Sequence, residues 1–174
     1  YHHLAITRTP FISSQSGDLE VNPGDSVSLE LQARGVHPLS FSWMRDGALL
    51  ANENGSSLEF ASVSVEDHGV YEAVVSDGES IVMSRPISLT VASAPVFRPL
   101  ESRTVLAGDD VVFEAATVGP APSLYQWRLN GSPIGGATNA VLELPNVQST
   151  SEGSYSVICR NAYGEAASNV AALT

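Results

Sequence analysis

The chain of 174 residues contains no lysine, a single cysteine and few aromatic side chains, 7% of the total. Each shortage removes a class of explanation. Eight arginines are its whole basic complement against 19 acidic residues, for a formal net charge of -11. Nucleic acid is argued against as a partner, because its phosphates require clustered Lys and Arg, and an anionic membrane surface is disfavoured for the same reason. One cysteine cannot close a bridge within the chain. No apolar run reaches the roughly 18 residues of a membrane-spanning helix, so direct membrane insertion of this stretch is not expected. The opening Tyr1-His2-His3-Leu4 lacks the charged, apolar and cleavable series of a secretory leader. His2 and His3 are read as native residues or the stub of a tag, not as a metal site. An all-arginine basic set beside abundant Ala, Gly, Val and Ser matches the coding habit of a GC-rich genome.

What is present is a globular composition, 43% hydrophobic and 16% charged, in a length that suits two small domains. An internal repeat divides it. Sliding the sequence by 84 places aligns Gly24-Asp25 with Gly108-Asp109, Trp43 with Trp127, Gly47 with Gly131, Leu58-Glu59 with Leu142-Glu143, Gly69 with Gly153 and Tyr71 with Tyr155. The offset continues without a gap to Leu89-Thr90 and Leu173-Thr174. Small residues and Pro95 mark the boundary, which predicts domains at 1–92 and 93–174. A junction of about four residues predicts an end-to-end pair roughly 70 to 80 Å long. Thr174 aligns with Thr90, which Val91 follows, so the last strand is expected to continue in a longer chain. The first half carries 12 acidic residues against four arginines and the second seven against four. Carboxylates such as Asp18, Glu20 and Asp25 are read as solvated surface.

Within each copy the pattern is that of short strands. Val27, Leu29 and Leu31 alternate with Ser28, Glu30 and Gln32 over 27–33, and 111–117 repeats this with Val111, Phe113 and Ala115 inward, the period of a half-buried strand. Leu39, Phe41 and Trp43, then Tyr125 and Trp127, fall on the inner face of the next strand. Asp46-Gly47 and Asn130-Gly131 follow as hairpin turns, because these residue types accept positive φ at both turn positions. No amphipathic helix appears.

Each copy then closes on one phrase: Asp67-x-Gly69-x-Tyr71 and Ser151-x-Gly153-x-Tyr155. With the tryptophans 12 residues after Leu31 and Ala115, this order resembles the immunoglobulin fold over nearly the whole chain. The resemblance implies an all-β architecture of two tandem immunoglobulin-like Greek-key β-sandwiches of about seven strands each. It also implies that Trp43 and Trp127 are the core tryptophans and that Tyr71 and Tyr155 form the tyrosine corner. The two cysteines usual in that family are replaced by Leu31 and Ala73 in one copy and by Ala115 and Val157 in the other. In the chain-entropy model a bridge closing about 42 residues contributes roughly 4 kcal/mol, which packing must replace. The missing bridges, with GATNAVLELPNV and the closing hairpin around Asn161 and Gly164, make the pair most similar to immunoglobulin-like repeats of bacterial surface and secreted proteins. Muscle-type intermediate-set repeats are the near competitor.

Chemistry finds little footing. His37 and His68 stand in no zinc-ligand spacing, and their repeat counterparts are Ala121 and Glu152. There is no nucleophile elbow or phosphate loop, and no cofactor is implied. Glu66, Asp67, Asp109 and Asp110 offer oxygens for calcium at the junction, but read more simply as turn residues. Asn54 and Asn130 head Asn-Gly-Ser triplets that satisfy the N-glycosylation rule. Cys159, two residues beyond Val157, is read as a buried apolar residue that resists thiol reagents. The expected function is a non-catalytic structural, adhesive or protein-interaction module of a larger extracellular or cell-surface protein, its partner a protein or else a glycan. The alternatives are an accessory region of a secreted enzyme, favoured by exposed aromatic platforms, and an intracellular cytoskeletal repeat.

Overall fold

A computed structural model describes residues 9–174; the segment with Tyr1, His2 and His3 lies outside the described residues. The backbone divides into two compact units between Val91 and Ala92, one residue before the boundary expected from the repeat. The first unit contains β1 (Phe11–Gln15), β2 (Leu19–Val21), β3 (Val27–Arg34), β4 (Ser40–Arg45), β5 (Ala48–Leu49), β6 (Ser57–Phe60), β7 (Gly69–Ser76), β8 (Ile81–Met83) and β9 (Ile87–Val91). One sheet runs β1-β3-β6. The other runs β2-β9-β7-β4-β5, with β8 also paired to β7. Only β2 and β9 pair in parallel among these strands, with Val21 opposite Val91.

The alternation read from the sequence explains the sandwich. Val27, Leu29 and Leu31 of β3 point between the sheets, and Tyr71, Ala73 and Val75 of β7 meet the same core, together with Trp43. At about 1.5 to 3 kcal/mol for each fully buried large aliphatic side chain, such layers carry most of the fold's stability. The turn residues behave as their types require: Asp46 and Gly47 sit at φ 50° and 81°, the paired positive values of a turn whose twist matches its strands. Asn130 and Gly131 repeat 50° and 81°.

The second unit contains β10 (Val96–Phe97), β11 (Val111–Glu114), β12 (Thr117–Val118), β13 (Leu124–Leu129), β14 (Ser132–Pro133), β15 (Val141–Leu144), β16 (Gly153–Asn161), β17 (Gly164–Ala167) and β18 (Ala171–Leu173). Here β11 pairs β15, β10 pairs β12, and β14-β13-β16-β17 forms the larger sheet, with β18 also on β16. The strand expected over 111–117 is thus interrupted. Its two halves bond different partners: Ala115 donates to the Ala140 carbonyl, whereas the Ala116 carbonyl accepts from Arg98. In the first unit β3 spans the same change of partner, from β6 to β1, without a break.

Candidate interaction face

Three backbone-directed bonds occupy the same repeat positions in both units. The Trp43 indole donates to the Gly55 carbonyl at 3.0 Å and the Trp127 indole to the Asn139 carbonyl at 2.9 Å, each ring fully enclosed. The Tyr71 hydroxyl donates to the Asp67 carbonyl at 2.7 Å and the Tyr155 hydroxyl to the Ser151 carbonyl at 2.8 Å. Burial raises both phenols above their ordinary pKa. The third bond repairs a break in the last strand. Where β8 gives way to β9, the Ser84 hydroxyl accepts the Ala73 N–H at 2.8 Å, and Ser168 does the same for Val157 at 3.0 Å. The sequence shows these serines only as aligned letters.

At the positions of the missing bridges, Leu31, Ala73, Ala115 and Val157 are all buried, between 0 and 5% exposed. Cys159 is 1% exposed. Burial, with a smaller contribution from Glu165, pushes its thiol up to about 11, so at neutral pH it carries almost no thiolate, the reactive form. The histidines stand apart. His37 lies 3.7 Å from Glu79, with both side chains largely exposed, an arrangement of little energetic weight. His68 closes the short 3-10 turn Val65–Asp67.

Of the acidic residues considered for calcium, Asp67 and Asp109 are engaged in local turns and Asp110 in a bond to a residue 36 positions away. Asp67 accepts the Ser64 N–H and hydroxyl, Asp109 the Leu106 N–H, and Asp110 the Asn146 N–H. Among the described residues no three His, Cys, Asp or Glu side chains are grouped to hold a metal. Of the two glycosylation triplets, Asn54 is exposed in a loop, whereas the Asn130 side chain, in the β13–β14 turn, accepts the Ser154 N–H of the adjacent strand β16.

What the sequence reading missed lies on the outside of the first unit. Because β4, β5, β7 and β8 pair side by side, the residues between the inward ones share the outer face. Leu49 lies beside Met44, Val74 beside Met83, and Ser76 beside Ile81. Leu49 and Ile81 are each 69% exposed and Met83 49%. Both methionines of the chain are here. Glu72, opposite Met44, is the acidic member of the strip. A periodicity signal could have found it only by asking why the outward positions of these strands are apolar. The repeat counterparts in the second unit are mixed: Arg128 replaces Met44, Glu165 replaces Ile81 and Arg160 replaces Ser76, whereas Ala167, Pro133 and Ile158 stand where Met83, Leu49 and Val74 do. Among the described residues no aromatic platform forms. Trp43 and Trp127 are enclosed, Phe41 and Tyr125 are half-buried against the cores, and the most exposed aromatics described, Phe11 and Tyr163, belong to different units.

Comparison with known proteins agrees with this architecture. Residues 9–77 match the family model described as an immunoglobulin domain. Chicken neuronal growth regulator 1 is 27% identical over 93% of this chain and 49% of its own length. The chain spans between 4 and 49% of its mouse and chicken relatives. Among solved structures, the titin tandem A164-A165 gives a TM-score of 0.63 at 20% identity, covering 96% of this chain and 97% of that one. The Dpr2 Ig1-Ig2 complex with DIP-Theta Ig1-Ig3 gives 0.62 at 20% identity, over 95% and 64%. At that identity the likeness is one of fold. The chain is a tandem of two immunoglobulin-like β-sandwiches, and the family match lies on the first.

Proposed function

We propose that the chain is a non-catalytic protein-binding module of a larger extracellular or cell-surface protein, and that its first unit binds through the outer face of β4, β5, β7 and β8. The observation that carries this reading is the strip of Leu49, Met44, Val74, Met83 and Ile81 on one side of a sheet whose other side is already core. An exposed apolar strip on a folded domain marks an interaction surface. Methionine, unbranched and polarisable, suits a face that must adapt to a partner, and the Glu72 carboxylate within the strip supplies orientation. The Dpr2 complex with DIP-Theta supports a protein partner over a glycan, and the enclosed tryptophans offer no platform for a polysaccharide-targeting role. A bacterial source rests on the missing bridges, the GATNAVLELPNV stretch and the closing hairpin, with the all-arginine basic set as a compositional hint.

The reading is tested by presenting the chain to an array of secreted proteins and receptor ectodomains, alongside Val74→Glu, Met83→Glu and Arg160→Glu variants of native circular dichroism. A partner should appear whose binding weakens at least tenfold with either first-unit variant and holds with Arg160→Glu. Binding that ignores Val74→Glu and Met83→Glu would sink the proposed face. Surface biotinylation of cells making the parent protein tests its location.

A further inference from the structure

One strand of the second unit has a side that nothing uses. β11 and β15 form a sheet of two, so β15 is an edge strand among the described residues. Ala115 donates to the Ala140 carbonyl at 2.8 Å, and the register continues with Phe113 opposite Leu142 and Val111 opposite Leu144. Bonded pairs alternate along an antiparallel ladder. Leu142 therefore directs its backbone groups to β11, while Val141 and Glu143 turn theirs to the free side. A groove of about 550 Å³ adjoins this edge, lined by the continuous stretch 134–144. Ile134 and Ala137 tie the start of that stretch to the Trp127 backbone of β13, so the groove lies where the chain crosses from one sheet of the sandwich to the other. Gly135 and Gly136 leave its wall bare, with open space where a Cβ would stand.

The first unit has the corresponding edge at β6 but clothes it differently. There the Ser28 hydroxyl donates to Glu59 at 2.7 Å, and Ser57 lies opposite Glu30. The counterparts on the outer face of the second unit are Val112 beside Glu143 and Val141 beside Glu114. Both serines have become valines, 51 and 41% exposed, and Glu143 has no hydroxyl beside it. Charge on an edge strand ordinarily guards it against its own kind. Two copies meeting here would crowd Glu114 and Glu143 of both onto one face, in a chain of net charge -11. A basic strand meets the opposite condition.

We propose that the free edge of β15 receives an extended segment of a partner protein as an added strand, with an arginine or lysine opposite Glu143 and apolar side chains toward the groove. The backbone groups of Val141 and Glu143 supply the strand-to-strand bonds. Glu143 selects the charge, because opposite charges facing across a ladder attract and like charges repel. Val112 and Val141 add apolar surface on the outer face. The inference concerns the second unit alone and is independent of the interaction face of the first.

The probe is the peptide Thr-Val-Arg-Val-Thr-Val-Thr, with Glu or Ser in place of its Arg as comparisons, titrated into the whole chain and followed by backbone NMR. Shifts should concentrate at the Val141 and Glu143 amides, with NOEs from the peptide backbone to Val141. The Arg peptide should bind at least about fivefold more tightly than the Glu peptide, and Glu143→Lys should reverse that order. Val141→Pro removes an N–H that β11 does not use, so it should abolish binding while the Leu142 amide stays protected from exchange. Three results would each overturn the proposal: no shifts at Val141 and Glu143 with millimolar peptide, an order of affinities that Glu143→Lys leaves unchanged, or a dimer of the peptide-free chain that Val141→Pro dissolves. The last would make a second copy the occupant.

Discussion

The two units solve the same packing problem with their residues exchanged. In the first, the bulky member at the bridge positions is Leu31 and the small one Ala73; in the second, Ala115 is the smaller and Val157 the larger. Phenylalanine also changes strands. The first unit has Leu29 and Phe60, the second Phe113 and Leu144. Yet a phenyl ring reaches the corner tyrosine in each: Phe60 meets Tyr71 edge-on at 5.6 Å, and Phe113 stacks on Tyr155 at 5.1 Å. Even the stitch between first and last strands is inverted. Gln15 exchanges two side-chain bonds with the Arg85 backbone, whereas Asn169, the counterpart of Arg85, exchanges two with the Leu100 backbone. Bonds from Trp, Tyr and Ser to the backbone are fixed in place. Core volume and edge stitching are held only as sums, because cores tolerate exchange when total volume is kept.

The largest effect should come from what the units share. Trp43→Ala and Trp127→Ala each remove a wholly enclosed ring and leave a carbonyl, at Gly55 or Asn139, without its donor. Each should cost about 3 to 5 kcal/mol in its own unit, read by denaturant unfolding with the remaining tryptophan reporting on the other unit. A marked difference between them would show that the shared frame is not equally relied upon. The exchanged volumes come next. Leu31→Ala alone should cost about 2 to 5 kcal/mol, and Leu31→Ala with Ala73→Val, which copies the second unit, should recover a coupling energy of about 1 kcal/mol or more. Strict additivity would mean that the two positions do not compensate each other.

How much of this was legible follows from range. The strands, the hairpin turns and the inward placement of Trp43, Val75 and Cys159 depend on neighbours two residues away or on turn chemistry within two residues, and a sequence displays both. The outer strip was legible in principle, since Met44 and Val74 occupy outward positions, but an outward apolar residue has a meaning only once pairing shows which others lie beside it. Gln15 and Arg85 are 70 residues apart, and no period links them. The break after Glu114 was hidden for a different reason: the residues 111–117 alternate as one strand, and only the change of partner at Ala115 and Ala116 divides them.

A smaller asymmetry sits in the turn before the last strand. Asp77 accepts the Glu79 and Ser80 N–H groups; chiefly the Ser80 bond holds its carboxyl below the ordinary range. Its counterpart Asn161 accepts the same pair of N–H groups, from Tyr163 and Gly164, but also donates to the Ser93 and Pro120 carbonyls. A carboxylate cannot donate. Asn161→Asp should therefore cost about 1 to 3 kcal/mol and Asp77→Asn well under half of that, measured as thermal unfolding at neutral pH. Equal costs would remove the distinction between the turns.

The smallest effect is expected at Cys159, where the first unit has Val75, itself 0% exposed. Cys159→Val makes the second unit like the first and should change stability at pH 7 by less than about 1.5 kcal/mol. The two proteins should part only in alkali. A thiol whose pKa is raised by folding keeps its proton in the native state after the unfolded chain has lost it. The native state is thus favoured fully below the ordinary thiol pKa of 9.0, and that contribution falls as pH climbs toward about 11. The parent chain should lose stability over this window more steeply than Cys159→Val, by up to about 1.4 kcal/mol per pH unit. Because Tyr71 and Tyr155 are also raised and remain in both proteins, they cancel in the difference between the two curves, which reports the thiol together with its coupling to Tyr125. Parallel curves from pH 8 to 10, or rapid labelling of the native parent by a thiol reagent, would show that Cys159 is not held in the core as Val75 is.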